Sequence, residues 1–144
     1  MQQQAKWRWS NRFFLATLIV FATELAIAQF ADGFVRNFMG DVLVVILLFC
    51  AIQSVLAYSK WRTAIGVLIF AIGVELAQYA QIPAKLGIDR HSSLGIAAGA
   101  TFDWLDVAAY ALGSLFILSL LLISHINRIK MRRNGATRIK YHPL

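Results

Sequence analysis

Apolar residues gather in four long blocks separated by short polar breaks, at 13–30, 42–58, 63–79 and 104–126. Each block holds about 17–23 residues, and roughly 20 helical residues at 1.5 Å rise cross a hydrocarbon core. The pattern predicts an all-α membrane protein with four transmembrane helices in a bundle. Residues 1–12 then form a basic N-terminus, 13–126 the transmembrane domain and 127–144 a basic tail. No repeat or low-complexity stretch interrupts this arrangement, and little chain is left over for a soluble domain.

Composition agrees. Of 144 residues, 59% are hydrophobic and 15% are charged, where ordinary soluble domains have about 45–50% and about 25%. Mean hydropathy is +0.64. Lys6, Arg8, Arg12, Lys60, Arg62, Arg128, Lys130, Arg132, Arg133, Arg138 and Lys140 fall on one side of the predicted spans, and only Arg36, Lys85 and Arg90 on the other. Basic residues favour the cytoplasmic side, so a multi-pass membrane protein with both termini cytoplasmic is expected. The net charge of +7 is mostly this asymmetry, and nucleic acid is not an expected partner. The basic tail is expected to lie against anionic lipid heads. Trp7, Trp9, Tyr58 and Trp61 at one interface, and Tyr79 and Trp104 at the other, match the aromatic belts of membrane proteins. Ala26-Ile27-Ala28 resembles a signal-peptidase site, but Glu24 just before it argues against cleavage. Cys50 is the only cysteine, so it forms no internal disulfide and is expected as a small apolar core residue.

The seven acids change the picture. Glu24, Asp32, Asp41, Glu75, Asp89, Asp103 and Asp106 all fall toward the outer side, with Asp32 and Asp41 in the first outer loop and Asp103 in the second. The rule for Lys and Arg is nearly blind to acids, so this one-sidedness is separate information and suggests a polar pocket facing outward. Glu24 and Glu75 lie inside spans, where ionisable groups are costly and mark functional positions. Internal pairing that only fixes helix packing is the alternative.

Spacing sharpens the set. Glu75 and Gln78 share a helix face at i, i+3. Asp103, Asp106, Tyr110, Gly113 and Ile117 step by three and four along one seam of the fourth span, facing a partner helix. Gly113 in that seam would let a neighbouring backbone approach closely. Asp103 and Asp106 sit at the positive N-terminal end of their helix, and Glu75 at the negative C-terminal end of its own. Glu75 is therefore expected to be protonated or paired with a cation, with Arg36 and Arg90 the candidates ahead of Lys85. Either arginine fork could instead hold an anionic ligand group.

Other chemistries find less support. Asp89, His91 and Ser92 are adjacent in "DRHSS", but a catalytic triad is defined by geometry in space. A metal held by Glu24, Glu75, His91, Asp103 and Asp106 has no recognised ligand spacing, so no metal and no cofactor is expected. "LGIAAGAT" at 94–101 fits no phosphate-cradling pattern. The long connection 80–103 has the length of a functional lid or a protein-covered re-entrant segment.

"GVELAQY" (73–79), Arg90 and "FDWLDVAAYALGS" (102–114) together resemble the VanZ-like superfamily of small bacterial membrane proteins. Its pattern is E-x-x-Q, a loop arginine, then D-x-x-D-x-x-x-N-x-x-G. Glu75, Gln78, Arg90, Asp103, Asp106 and Gly113 match, while Tyr110 stands where the pattern has Asn. Glu24, Arg36, "GDVLVV" (40–45) and "TFDWLD" (101–106) make the chain more similar still to the branch called domain of unknown function 2809, over roughly residues 12–122. VanZ-like proteins are associated with tolerance to the glycopeptide teicoplanin, and the nearer branch carries no assigned activity. Three readings result. Glu24, Arg36, Asp41, Glu75, Gln78, Arg90, Asp103, Asp106 and Tyr110 bind a head group of a membrane lipid or lipid-linked envelope precursor. Alternatively, an enzyme acts on such a lipid with Glu75 as acid or base. In the third, a structural subunit uses its acids only for internal pairing.

Overall fold

A computed structural model describes residues 6–85, 87 and 103–139. Four long helices form the bundle: α1 (Asn11–Phe30), α2 (Gly33–Val55), α3 (Lys60–Tyr79) and α5 (Trp104–Ile139), with a one-turn α4 (Ile82–Lys85) after α3. All four long helices are long and apolar enough to cross a membrane. Their large apolar side chains point outward: Leu18, Ile19 and Phe21 on α1, Ile69 and Phe70 on α3, and Leu115 and Phe116 on α5 are all exposed. A surface this apolar is stable only in lipid, so the protein is a multi-pass membrane protein.

The second helix starts at Gly33, nine residues before the apolar block that predicts it. Arg36 and Asp41 are therefore helical, and the expected first loop shrinks to Ala31 and Asp32. The cause is visible in "GFVRNFMGD": Phe34, Val35, Phe38 and Met39 recur at helical spacing, and Phe34 stacks on Phe38 with ring centroids 5.1 Å apart. Gly33 makes the tight link possible by adopting φ of +54°, a conformation that L side chains rarely adopt.

At the other end α2 stops at Val55, earlier than the apolar block does. Leu56–Ala57 (β2) pairs antiparallel with Lys6–Trp7 (β1). The Arg8 and Ser10 amides donate to the carbonyls of Val55 and Ser54 at 3.0 and 2.8 Å. These are last-turn carbonyls, which have no partner within the helix, so the N-terminal strand completes them. Beside them, the buried Gln53 amide donates to the Thr63 hydroxyl at 2.8 Å and the Tyr58 carbonyl at 3.3 Å.

The core lies between α2, α3 and α5. Val45 and Phe49 of α2, Ala64, Val67 and Ala71 of α3, and Tyr110 and Ile117 of α5 form one buried cluster. α1 has no buried residue and leans chiefly on α2. Without a hydrophobic force between helices in lipid, small residues at the contact set how close they come. Gly113 is the tightest case. A Cβ there would lie 2.6 Å from the Val42 carbonyl oxygen, so α2 and α5 touch backbone to backbone, as the seam predicts.

Candidate functional site

The buried stripe of α3 runs Ala64, Val67, Ala71, Glu75. Glu75 thus continues a packing face in steps of three and four, and it is 1% exposed. Across from it, α5 presents Tyr110, whose hydroxyl donates to Glu75 Oε1 at 3.2 Å. The other oxygen, Oε2, is buried with no hydrogen-bond partner among the described residues. Glu75 is expected to be protonated or paired with a cation; among the described residues its side-chain hydrogen-bond partner is the Tyr110 phenol, and the candidate Arg90 lies outside them. Tyr110 projects from the same seam as Gly113, where α5 lies close enough to its neighbours for the two side chains to meet.

Asp41, one residue before Val42, faces α5 at the same level. Its carboxyl lies within hydrogen-bonding range of the Asp106 carboxyl and close to Glu75 and the Tyr110 hydroxyl. Asp106 and Tyr110 are one turn apart on α5, which brings both to this point. Asp103 lines a cleft with these residues and also caps its own helix. It is exposed and precedes the helix, and its Oδ1 accepts the Leu105 amide at 2.9 Å. That is an N-cap, which satisfies one of the orphan amides of a helix start. Asp103 borders the site but spends an oxygen on its own helix.

These residues surround one cleft of about 770 Å³ at the end of the bundle where α1 meets α2 and α5 begins. Glu24 enters from α1, Arg36 and Asp41 from α2, Glu75 and Gln78 from α3, and Asp103, Asp106 and Tyr110 from α5. Eight of the nine residues singled out in the sequence thus line a single space; Arg90 lies outside the described residues, as do His91 and the run 94–101. Glu24 is half-buried, and its Oε1 is also without a hydrogen-bond partner among the described residues. Arg36 is exposed at the margin. Phe34, Asn37, Phe38 and Val44 line the cleft too and were not anticipated. Their signal is helical spacing from Asp41: Asn37 lies at i−4, Phe38 and Val44 at i−3 and i+3, and Phe34 at i−7.

Chemically the cleft is rich in carboxyl oxygens, with Arg36, Asn37, Gln78 and Tyr110 as its side-chain donors. Five carboxyls border it. Among the described residues, no group of three or more His, Cys, Asp or Glu side chains is gathered closely enough to hold a metal ion. Its volume lies within the range of about 300–1,000 Å³ typical of small-molecule sites.

No curated protein and no solved structure matches the chain. One family profile does, over residues 30–114, which is more than half of the chain and contains every one of the eight cleft residues except Glu24. The chain therefore belongs to the family described as protein of unknown function, DUF2809.

Proposed function

We propose that this cleft binds the polar head group of a membrane lipid or lipid-linked cell-envelope precursor. The protein would sit in the bacterial inner membrane with both termini cytoplasmic and the cleft in the outer leaflet. The observation that carries the reading is the convergence of carboxyls from all four long helices on one cleft, with a buried oxygen of Glu75 left unpartnered. The E-x-x-Q of Glu75 and Gln78 and the D-x-x-D of Asp103 and Asp106 both border this cleft, which supports the VanZ-like kinship. The eleven-to-three distribution of Lys and Arg supports the orientation; a periplasmic reporter active when fused to the C-terminus would overturn it.

Native mass spectrometry of protein purified from its membrane tests the binding. The wild type is expected to retain lipid with a head-group preference. Ala28→Trp, which places an indole in the cleft from α1, is expected to lose that lipid while melting at the same temperature. Equal lipid retention by the two proteins sinks the proposal.

A second reading is catalytic. Glu75 has one oxygen held by Tyr110 and the other unpartnered, an arrangement suited to moving a proton to or from a bound head group. In Glu75→Gln, head-group binding that persists while bound lipid is no longer converted marks an enzyme. Wild-type protein that leaves its bound lipid chemically unchanged excludes one.

A further inference from the structure

We infer that the head group taken by this cleft carries a primary ammonium group. The inference rests on the head-group reading above and adds the chemistry of the ligand.

Acidic side chains outnumber cationic ones in the cleft. Glu24, Asp41, Glu75 and Asp106 bring eight carboxyl oxygens, beside Asp103, which is partly engaged by its cap. Arg36 is the one cationic side chain among the described residues that line the cleft, and it stands exposed at the margin. The Tyr110 hydroxyl is engaged with Glu75 Oε1. Glu75 Oε2 and Glu24 Oε1 remain buried without partners among the described residues. A buried acceptor left unmade costs more than a typical hydrogen bond gains, so a ligand that supplies donors there is favoured over one that does not.

Charge narrows the choice. The carboxyls of Asp41 and Asp106 stand side by side with Glu75 close by, and an anionic group alone would be repelled from them. A bare divalent cation fits poorly, because no three metal-ligating side chains gather among the described residues. An ammonium has one positive charge and three N–H donors, which suit the side-by-side carboxyls of Asp41 and Asp106. The stacked rings of Phe34 and Phe38 also border the cleft, and aromatic faces attract cations. Rings alone would suit a quaternary ammonium equally well. The carboxyls of Asp41 and Asp106 decide against it, since a quaternary nitrogen has no N–H to offer them. Arg36 at the margin is placed to take a phosphate on the same head group.

One chemistry has two sources here: an ethanolamine phospholipid, or a free phosphoalkylamine in water. The test places purified full-length protein in phosphatidylglycerol nanodiscs doped with phosphatidylethanolamine or phosphatidylcholine. Retained lipid is counted by native mass spectrometry. Soluble phosphoethanolamine and phosphocholine are tested separately by thermal shift in detergent. The expected result is about tenfold preference for the ethanolamine lipid over the choline lipid, the scale of one charge-assisted hydrogen bond. Glu75→Gln and, as a second variant should that one fail to fold, Asp106→Asn are each expected to abolish the preference. Stabilisation by soluble phosphoethanolamine alone, with no lipid preference, upholds the ammonium chemistry and assigns it a water-soluble source. Lipid retained without preference, and no response to phosphoethanolamine over phosphocholine, overturns the ammonium inference and leaves head-group binding standing. Wild type and Ala28→Trp retaining lipid equally, with no response to either soluble compound, removes both.

Discussion

Replacing Gly113 with Ala adds one methyl group at the point where α2 and α5 meet. The new Cβ would lie 2.6 Å from the Val42 carbonyl oxygen and 3.3 Å from Val45 Cβ. A carbon–oxygen contact is comfortable at about 3.3 Å, so the helices must part by about 0.7 Å. The obstacle is backbone, which has no rotamer to yield. A radial gap of about 0.5–1 Å forfeits a quarter to a half of each contact energy it opens. Val45, Tyr110 and Ile117 all pack in this core, and partial relaxation brings the expected loss to about 1–3 kcal/mol. That is roughly a 5- to 150-fold fall in the folding equilibrium. Gly66→Ala is the matched control, because the position is on α3 with nothing within 4 Å of an added Cβ. Ala is the better helix former by about 0.8–1.0 kcal/mol, so the control should be as stable as the parent or more so. Unfolding in mixed micelles by increasing SDS, followed by circular dichroism, measures both. Gly113→Ala as stable as the parent, or a loss as large in Gly66→Ala, would refute the close approach. Val42 adjoins Asp41, and Gly113 is one turn from Tyr110, so the same change should also loosen the cleft and weaken any head-group preference.

Two further changes probe the site's own bonds. Tyr110→Phe removes the hydroxyl that donates to Glu75 Oε1 and should cost about 1 kcal/mol, since hydrogen bonds between helices in membranes average below that and reach about 1.7. In a double-mutant cycle with Glu75→Gln, measured by the same SDS titration, the two costs should not add; strict additivity would show that the hydroxyl and carboxyl do not interact. Asp103→Ala should lose about 1 kcal/mol as a lost N-cap while Asp103→Asn loses little. Thermal melts of the two variants decide it, and an equal loss in both would point to charge rather than capping.

The helix count was legible because hydropathy is a sum over neighbours in the chain. So was the tight seam at Gly113, whose spacing with Tyr110 and Ile117 defines one face of a helix. The start of α2 was less legible. Its first turns carry Arg36, Asn37 and Asp41 among the aromatics, and a hydropathy average takes such a stretch for a loop although its period is helical. Arg36 and Asp41 consequently hang from a rigid helix, which holds them at fixed height beside α5.

The sequence by itself determined that the protein is a four-helix membrane bundle and that its acids gather toward one end, because both follow from the order of residue types along the chain. Only the tertiary structure decided which acids meet. Asp41 faces Asp106, Tyr110 holds Glu75, and Asp103 turns back to cap its own helix. Such pairings depend on the rotation and relative height of helices that are distant in sequence. Those are set by packing contacts such as the backbone approach at Gly113, which spacing within one helix places on a face but cannot match to a partner.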